Sequence, residues 1–286
     1  MNNMENKQYE VLKWASLFLE KHDREPRVAE ILLQHYLEVS RPEFYMMMQD
    51  SVADSIIAKF KEDIKKHAET GIPVQHLTGV ESFYGRKFLV NQNVLIPRPE
   101  TEELVQYLIN ATERDYDGQA LTIVDVGTGS GAIAISLALE LPHATVYATD
   151  ISPDALHVAM ENAERLNAKI HFLEGNFLQP IIDEGIQADM IVSNPPYIAK
   201  TEKLSDTVQN FDPDLALFAD ENGLAAYKQI INQAQLAVKQ NTTLAFEIGY
   251  TQAESVSSII EHTFPTSKVQ TIQDINGKDR IIAAKL

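Results

Sequence analysis

Leu121-Thr122-Ile123-Val124-Asp125-Val126-Gly127-Thr128-Gly129-Ser130-Gly131 is an apolar run broken by three alternating glycines, and the helical pattern Ala132 to Glu140 follows at once. Buried strand, glycine turn and helix make the first half of a nucleotide-type βα unit. The glycines allow the backbone to approach a ligand closely. A glycine turn alone is a weak signal. Here Val146-Tyr147-Ala148-Thr149-Asp150 strengthens it, a second strand ending in a carboxylate about twenty residues on, where an acid can grip ribose hydroxyls. Ser152-Pro153-Asp154 then caps a helix through about Leu166. The spacing is G-x-G-x-G and not G-x-G-x-x-G, which argues against a pyrophosphate-bearing dinucleotide and favours a nucleoside without phosphates.

Further strands follow at a regular interval. Lys169 to Leu173 is one, ending at Glu174-Gly175-Asn176-Phe177. Asn176 can exchange hydrogen bonds with an adenine edge and Phe177 can lie against the ring; a strand-end turn with a core Phe explains Phe177 nearly as well. Met190-Ile191-Val192 is the next, and the chain leaves it through Ser193-Asn194-Pro195-Pro196-Tyr197-Ile198. Two successive prolines fix their own φ and push Asn194 into an extended conformation. Asn194 is thus held at a strand's carboxyl end, where open α/β sheets build ligand sites. Its side-chain carbonyl and the Pro195 carbonyl are two acceptors able to converge on a planar NH2 group, with the Tyr197 ring on its flat face. A plain polar turn is the competing reading. Strands at Thr243 to Gly249, Val269 to Ile272 and Arg280 to Ala284, with a helix at Ala253 to Glu261, complete an alternating β/α pattern. From residue 121 onward this predicts an α/β, doubly wound, Rossmann-like sheet with an appended antiparallel hairpin.

Before residue 72 the pattern is helical. Val52, Ile56, Ile57, Phe60 and Ile64 recur at spacings of three and four, and Ser40-Arg41-Pro42-Glu43 has the form of a capping box. Trp14, Leu17 and Phe18, then Ile31, Leu32 and Leu33, supply further apolar stripes, and Met46-Met47-Met48 is either core or an adaptable docking surface. This predicts a small helical recognition domain over 1–72. Residues 73–96 read as a linker containing a β-hairpin at Phe83 to Val90, and 97–286 as the catalytic domain. Val94 to Glu102 is dense in proline, which suits either a stiff wall over a ligand or an ordinary domain-entry loop. Glu100 or Thr101 is expected to open the helix carrying Leu104, Val105 and Leu108.

Composition narrows the chemistry. The chain of 286 residues carries a net charge of −17, which disfavours a long nucleic-acid footprint because such binding rests on cationic side chains. Without cysteine there is no disulfide, thiolate metal site or Cys nucleophile. The eight histidines show no ligand spacing, so no metal is expected. Met1 to Glu10 is polar and acidic, unlike a signal peptide, and the most apolar run, Ala132 to Leu139, is too short to span a bilayer. A cytoplasmic protein that does not engage membranes is the expectation.

The motifs together resemble the HemK-type protein-glutamine methyltransferases. The resemblance runs through Pro73 to Gly79, Phe83-Tyr84-Gly85, Leu95-Ile96-Pro97-Arg98-Pro99-Glu100-Thr101-Glu102, the glycine turn, Asp150 and Asn194-Pro195-Pro196-Tyr197. It continues through Asp212-Pro213, Ala216-Leu217, Gly223-Leu224, Tyr227, Glu247-Ile248-Gly249, Gly277 and Arg280. Asn-Pro-Pro-Tyr alone is shared with adenine-amino methyltransferases; its combination with the Ile-Pro-Arg-Pro-Glu-Thr-Glu loop is specific. The resemblance implies a seven-stranded, mostly parallel class I methyltransferase domain, S-adenosyl-L-methionine as donor and S-adenosyl-L-homocysteine as product. Its implied substrate is the glutamine of the Gly-Gly-Gln loop in peptide chain release factors. By matching position, Gly127, Thr128, Gly129, Ser130 and Gly131 would line the cofactor. Asp150 would hold its ribose, and Asn176 and Phe177 would flank its adenine. Asn194, Pro195, Pro196 and Tyr197 would hold the glutamine amide, with Asn194 between cofactor and substrate. The chain departs from the pattern at His76, where Tyr is usual, at Asn176, where an acid is frequent, and at Phe218-Ala219-Asp220 in place of a Gly-rich segment. The alternative activity is N6-methylation of adenine in DNA or RNA on a flipped base.

Overall fold

The computed structural model describes residues 7–116, 118–202 and 206–286, with backbone alone for 206–208. It forms two compact units, Met1–Val80 with Ser205–Phe211 and Glu81–Leu204 with Asp212–Leu286.

The first unit is helical: α1 Gln8–Glu20, α2 Arg27–Leu37, α3 Arg41–Met46, α4 Asp54–Thr70 and α5 Val74–Thr78, joined later in the chain by Asp206–Phe211. Ser40 and Glu43 close the expected capping box at α3, the Ser40 amide donating to Glu43 Oε2 at 2.8 Å. From α4, Ile57, Phe60 and Ile64 enter a core shared with Leu32, Leu33 and Phe44. The face α1 presents differs from the expected stripe. Val11, Ala15 and Leu19, spaced by four, are its buried row, whereas Leu17 stays exposed and Trp14 stacks on Phe18 at the margin. Ile31 is likewise exposed beside buried Leu32 and Leu33, and Met46 lies at the surface while Met48 packs on the core. Residues 74–78, read as linker, form a helical turn between Pro73 and left-handed Gly79, and its Val74 joins the helical core.

The second unit begins with the hairpin β1 Val80–Phe83 and β2 Arg86–Leu89, turned by Tyr84 and Gly85, both at positive φ as a two-residue hairpin requires. α6 Pro99–Asp115 follows. It opens at Pro99, not at Glu100 or Thr101, because proline at the first helical position lacks only an amide that would have no partner there. Then come β3 Leu121–Val126, α7 Ala132–Glu140, β4 Ala144–Asp150, α8 Pro153–Leu166, β5 Ile170–Glu174, α9 Gln179–Asp183 and β6 Ala188–Ser193. Short elements follow: β7 Ile198–Ala199, then α10 Asp206–Phe211, which belongs to the first unit, and, back in the second, α11 Asp214–Leu217, β8 Phe218–Ala219 and the turn α12 Asp220–Gly223. The chain ends with α13 Ala225–Ala234, β9 Val238–Glu247, α14 Ala253–Thr263, β10 Lys268–Gln273 and β11 Asp279–Lys285.

Seven of these strands form one sheet in the order β10-β11-β9-β6-β3-β4-β5, all running the same way except β11, which is antiparallel to both its neighbours. The central strand β3 is apolar on both faces because both are covered. Ile123 joins Leu104, Leu108, Met190 and Ala245 on one face; Val124 and Val126 join Ile191, Phe246, Tyr227 and Ile230 on the other. The chain leaves β3 toward β4 and β5 and returns to β6 on the opposite side. The crevice at the carboxyl ends of β3 and β6 is therefore the topological switch point, where open α/β sheets bind ligands. Among the described residues no helix is long and apolar enough to cross a membrane.

Candidate active site

A cavity of about 340 Å³ opens at this switch point. The turn after β3 supplies Gly127, Thr128, Gly129 and Ser130 to its wall, β4 supplies Asp150, and the end of β5 supplies Asn176 and Phe177. Asn194, Pro195 and Pro196 close it from the end of β6. Leu95, Pro97 and Arg98 of the proline-dense loop also line it.

Two residues singled out in the sequence do not line the cavity. Gly131 is the cap of α7, at φ 81°, and a Cβ there would stand 2.9 Å from Ile135 Cδ1 and 3.2 Å from Ala159 Cβ. Its glycine serves the close approach of α7 to α8. Tyr197 packs behind the corner, within the apolar cluster of Phe246, Ile248 and Tyr227. Its carbonyl accepts from Gln252 Nε2 at 3.0 Å, and Gly223 crosses it so closely that a Cβ would fall 2.1 Å from the Tyr197 oxygen. Burial and the nearby Glu247 push the Tyr197 hydroxyl up to about 12, so it stays protonated at neutral pH.

Asp150 is anchored by the backbone: one oxygen accepts from the Gly129 amide and the other from the Ser152 amide, both at 2.9 Å. Burial raises its pKa, and these amides oppose the shift. Each oxygen keeps a lone pair for a hydroxyl. Behind it lies Asp125, fully buried, whose Oδ2 accepts from Thr128 Oγ1 at 2.6 Å and from the Ala134 amide at 3.2 Å while Oδ1 has no partner. Burial lifts Asp125 to about 7. The carboxylate thus ties the glycine turn to the first turn of α7, whose N-terminal dipole favours it.

The corner at Asn194 is held from below. Asn194 Nδ2 donates to Thr101 Oγ1 at 3.3 Å, and Thr101 Oγ1 donates to Glu247 Oε2 at 2.6 Å. Glu247 is at the end of β9, 2% exposed, and lifted to about 7 by burial against hydrogen bonds from Thr101 and Asn194 and the charge of Arg280. With its amide nitrogen engaged by Thr101, Asn194 keeps Oδ1 as an acceptor, and both Asn194 and Pro195 line the cavity. Arg98, another wall residue, is paired with buried Asp212 at 2.9 Å. A second support is Asn162 of α8, fully buried, which accepts from the Leu89 amide at 2.6 Å and donates to the Leu89 and Ser130 carbonyls at 3.0 and 2.9 Å. It ties the hairpin to the glycine turn.

Sequence reasoning placed Thr101 only at a helix start and in a matching loop, Glu247 only within the matching motifs, and assigned Asp125 and Asn162 nothing. Only Asp125 and Glu247 carried a local signal, each a carboxylate at the end of an otherwise apolar strand.

Comparison with known proteins agrees with this architecture. Residues 101–223 match the methyltransferase small domain family and residues 10–79 the PrmC N-terminal domain family. Among solved structures, a 16S rRNA N2-G1207 methyltransferase of T. thermophilus superposes with a TM-score of 0.51 at 16% identity, over 72% of this chain and 49% of that one. A methyltransferase of Streptococcus mutans gives 0.51 at 11%, over 72% and 55%. At such identities these show the fold alone. The release factor glutamine methyltransferase of Bacillus subtilis is 44% identical over 96% of both chains. That of Bacillus cereus is 42% identical over 97% of this chain and 99% of its own, and that of Staphylococcus aureus 43% over 90% and 91%. With identity of this order sustained from the helical unit through the terminal hairpin, the chain belongs to the release factor glutamine methyltransferase family.

Proposed function

We propose that the protein methylates the side-chain amide nitrogen of the glutamine in the Gly-Gly-Gln motif of peptide chain release factors 1 and 2, with S-adenosyl-L-methionine as donor, in the cytoplasm. In this reading residues 97–286 are the catalytic domain, 1–72 help recognise the release factor, and 73–96 link them. The observation that carries it is that Asn194 and Pro195 line the switch-point cavity walled by the glycine turn, with the Asn194 amide nitrogen held by Thr101 so that its oxygen is the group left to accept.

The cavity suits the cofactor. A Cβ at Gly127 or Gly129 would meet no protein atom within 4 Å, so bare backbone faces the ligand space. Asp150, pinned by two amides, has lone pairs it would offer to the ribose hydroxyls, and Asn176 and Phe177, which line the same cavity, would flank the adenine. When bound, S-adenosyl-L-methionine supplies a methyl group activated by a sulfonium charge.

The chain's own task concerns the amide, a poor nucleophile because its lone pair is delocalised into the carbonyl. Asn194 Oδ1 and the Pro195 carbonyl would each accept one N–H, which aims the nitrogen and stabilises positive charge building on it. Holding the nitrogen at a fixed place and angle supplies the proximity contribution, up to ~7–11 kcal/mol in well-oriented systems. Pro195 and Pro196 keep the corner from relaxing. Tyr197, packed behind it, supports that rigidity and does not face the amide. The nitrogen's proton would leave toward the same acceptors once the C–N bond has formed.

Mass spectrometry of a release-factor peptide after incubation with enzyme and donor tests the proposal. A methyl group located on the Gln side-chain nitrogen is the expected result. No transfer to the peptide, or transfer to adenine in nucleic acid, would overturn it.

A further inference from the structure

We propose that Thr101 and Glu247 are positioning residues that fix the polarity of the Asn194 side chain, and that this makes the site choose an amide over the isosteric carboxylate. The inference rests on the reading of Asn194 and Pro195 as the amide-holding pair.

A glutamine and a glutamate side chain have nearly the same shape. They differ where one carries two N–H donors and the other a charged acceptor. A site that separates them must present acceptors only. The Pro195 carbonyl satisfies this by chemistry. Asn194 does not, since a half-turn of its amide exchanges an acceptor for a donor that would welcome a carboxylate.

The structure removes that freedom. An ionised carboxylate only accepts, so the buried Thr101 hydroxyl must spend its proton on Glu247, at 2.6 Å. What Thr101 then offers Asn194 is a lone pair, taken by Nδ2 at 3.3 Å, and the nearby amide also favours the charged form of Glu247. Donation runs one way, from Asn194 through Thr101 to Glu247, and the oxygen of Asn194 is left facing the cavity. Turning the amide would set Oδ1 against the oxygens of Thr101 and Glu247.

Glu247 is faced on all sides. Arg280 of β11, itself paired with Asp274 at 3.2 Å, favours its charged form, while Glu100 of α6 opposes it. The Tyr227 hydroxyl of α13 donates to its backbone carbonyl at 2.8 Å, and Tyr197 lies beside it. When Glu247 takes up a proton it can donate to Thr101, the direction is no longer enforced, and discrimination should weaken.

The test uses the full-length protein saturated with S-adenosyl-L-homocysteine and two peptides, a Gly-Gly-Gln segment of a release factor and its Gly-Gly-Glu counterpart. Their affinities are measured by calorimetry. Wild type should favour Gln by about a hundredfold or more, the scale for sites whose buried polar groups are matched to one partner. In Thr101→Val the ratio should fall at least about tenfold, through weaker Gln and tighter Glu binding, with kcat on the Gln peptide falling in step. Affinity for S-adenosyl-L-homocysteine should stay within about twofold, and Thr101→Ser, which restores the hydroxyl, should restore the ratio. A Thr101→Val protein that keeps the wild-type ratio, or loses both peptides equally, would overturn the proposal. Should Thr101→Val fail to fold, Glu247→Gln decides. Wild-type selectivity should rise with pH through about 7, and that of Glu247→Gln should be flat; parallel profiles would refute the role of Glu247. Wild type that binds neither peptide would sink the substrate reading itself, a result distinct from a lost preference between them.

Discussion

Replacing Glu247 by Gln should change how the stability of the second unit depends on pH. The Glu247 carboxyl titrates at about 7 in the fold against 4.5 ordinarily, because burial penalises its charge. Between those values the native state binds more protons than the unfolded one, so stability falls as pH rises. The contribution is whole below about pH 4.5 and lost as pH climbs through about 7. At 1.36 kcal/mol per pKa unit the full span is worth roughly 3 kcal/mol, of which roughly 2.5 kcal/mol falls between pH 5 and pH 8. Gln does not titrate, so Glu247→Gln should gain on wild type by about that amount over this interval. Asp125, also lifted to about 7, shifts stability in the same direction but cancels in the comparison because both proteins carry it. The sole tryptophan, Trp14, belongs to the helical unit, so its fluorescence does not report this change directly. Hydrogen exchange of β3 and β9 amides at the two pH values does. Parallel pH dependence in the two proteins would refute the reasoning.

Asn194→Ala should lower kcat about 10²–10³-fold, as loss of one preorganised charge-stabilising group does, while S-adenosyl-L-methionine binding by calorimetry stays close to wild type. Gly131→Ala places a Cβ 2.9 Å from Ile135 Cδ1 at φ 81°, and should cost about 1–3 kcal/mol in urea unfolding followed by far-UV circular dichroism. Asn162→Ala removes the hydrogen bonds to Leu89 and Ser130 and should cost about 2–4 kcal/mol, with the Leu89 amide losing hydrogen-exchange protection before the sheet does. In the helical unit, Phe44→Ala empties a fully buried position and should cost about 3–5 kcal/mol, read by Trp14 fluorescence during unfolding.

Features that depend on neighbours in the chain were readable from the sequence. The glycine turn follows its strand directly, the prolines at 195 and 196 constrain Asn194 locally, and Ser40 and Glu43 cap α3 across three residues. What sequence reading missed depends on tertiary packing. Thr101 and Glu247 meet across 146 residues, and neither position reveals the other. Asn162 lies mid-helix, and its partner Leu89 is 73 residues away. Tyr197 stood beside a ligand-facing motif, yet Gln252 and Gly223, both distant in sequence, decide which way that residue packs. On α1 several apolar rows were available, and only contact with α2 and α4 selects Val11, Ala15 and Leu19 over Leu17.

The central claim is that the corner after β6 offers two oxygens to one planar NH2 group. A crystal structure of the enzyme with S-adenosyl-L-homocysteine and a Gly-Gly-Gln peptide measures this directly. The expected result places the Gln amide nitrogen at about 2.7–3.2 Å from both Asn194 Oδ1 and the Pro195 carbonyl oxygen. A glutamine amide lying elsewhere in the cavity, or an Asn194 side chain presenting its nitrogen to the substrate, would contradict it.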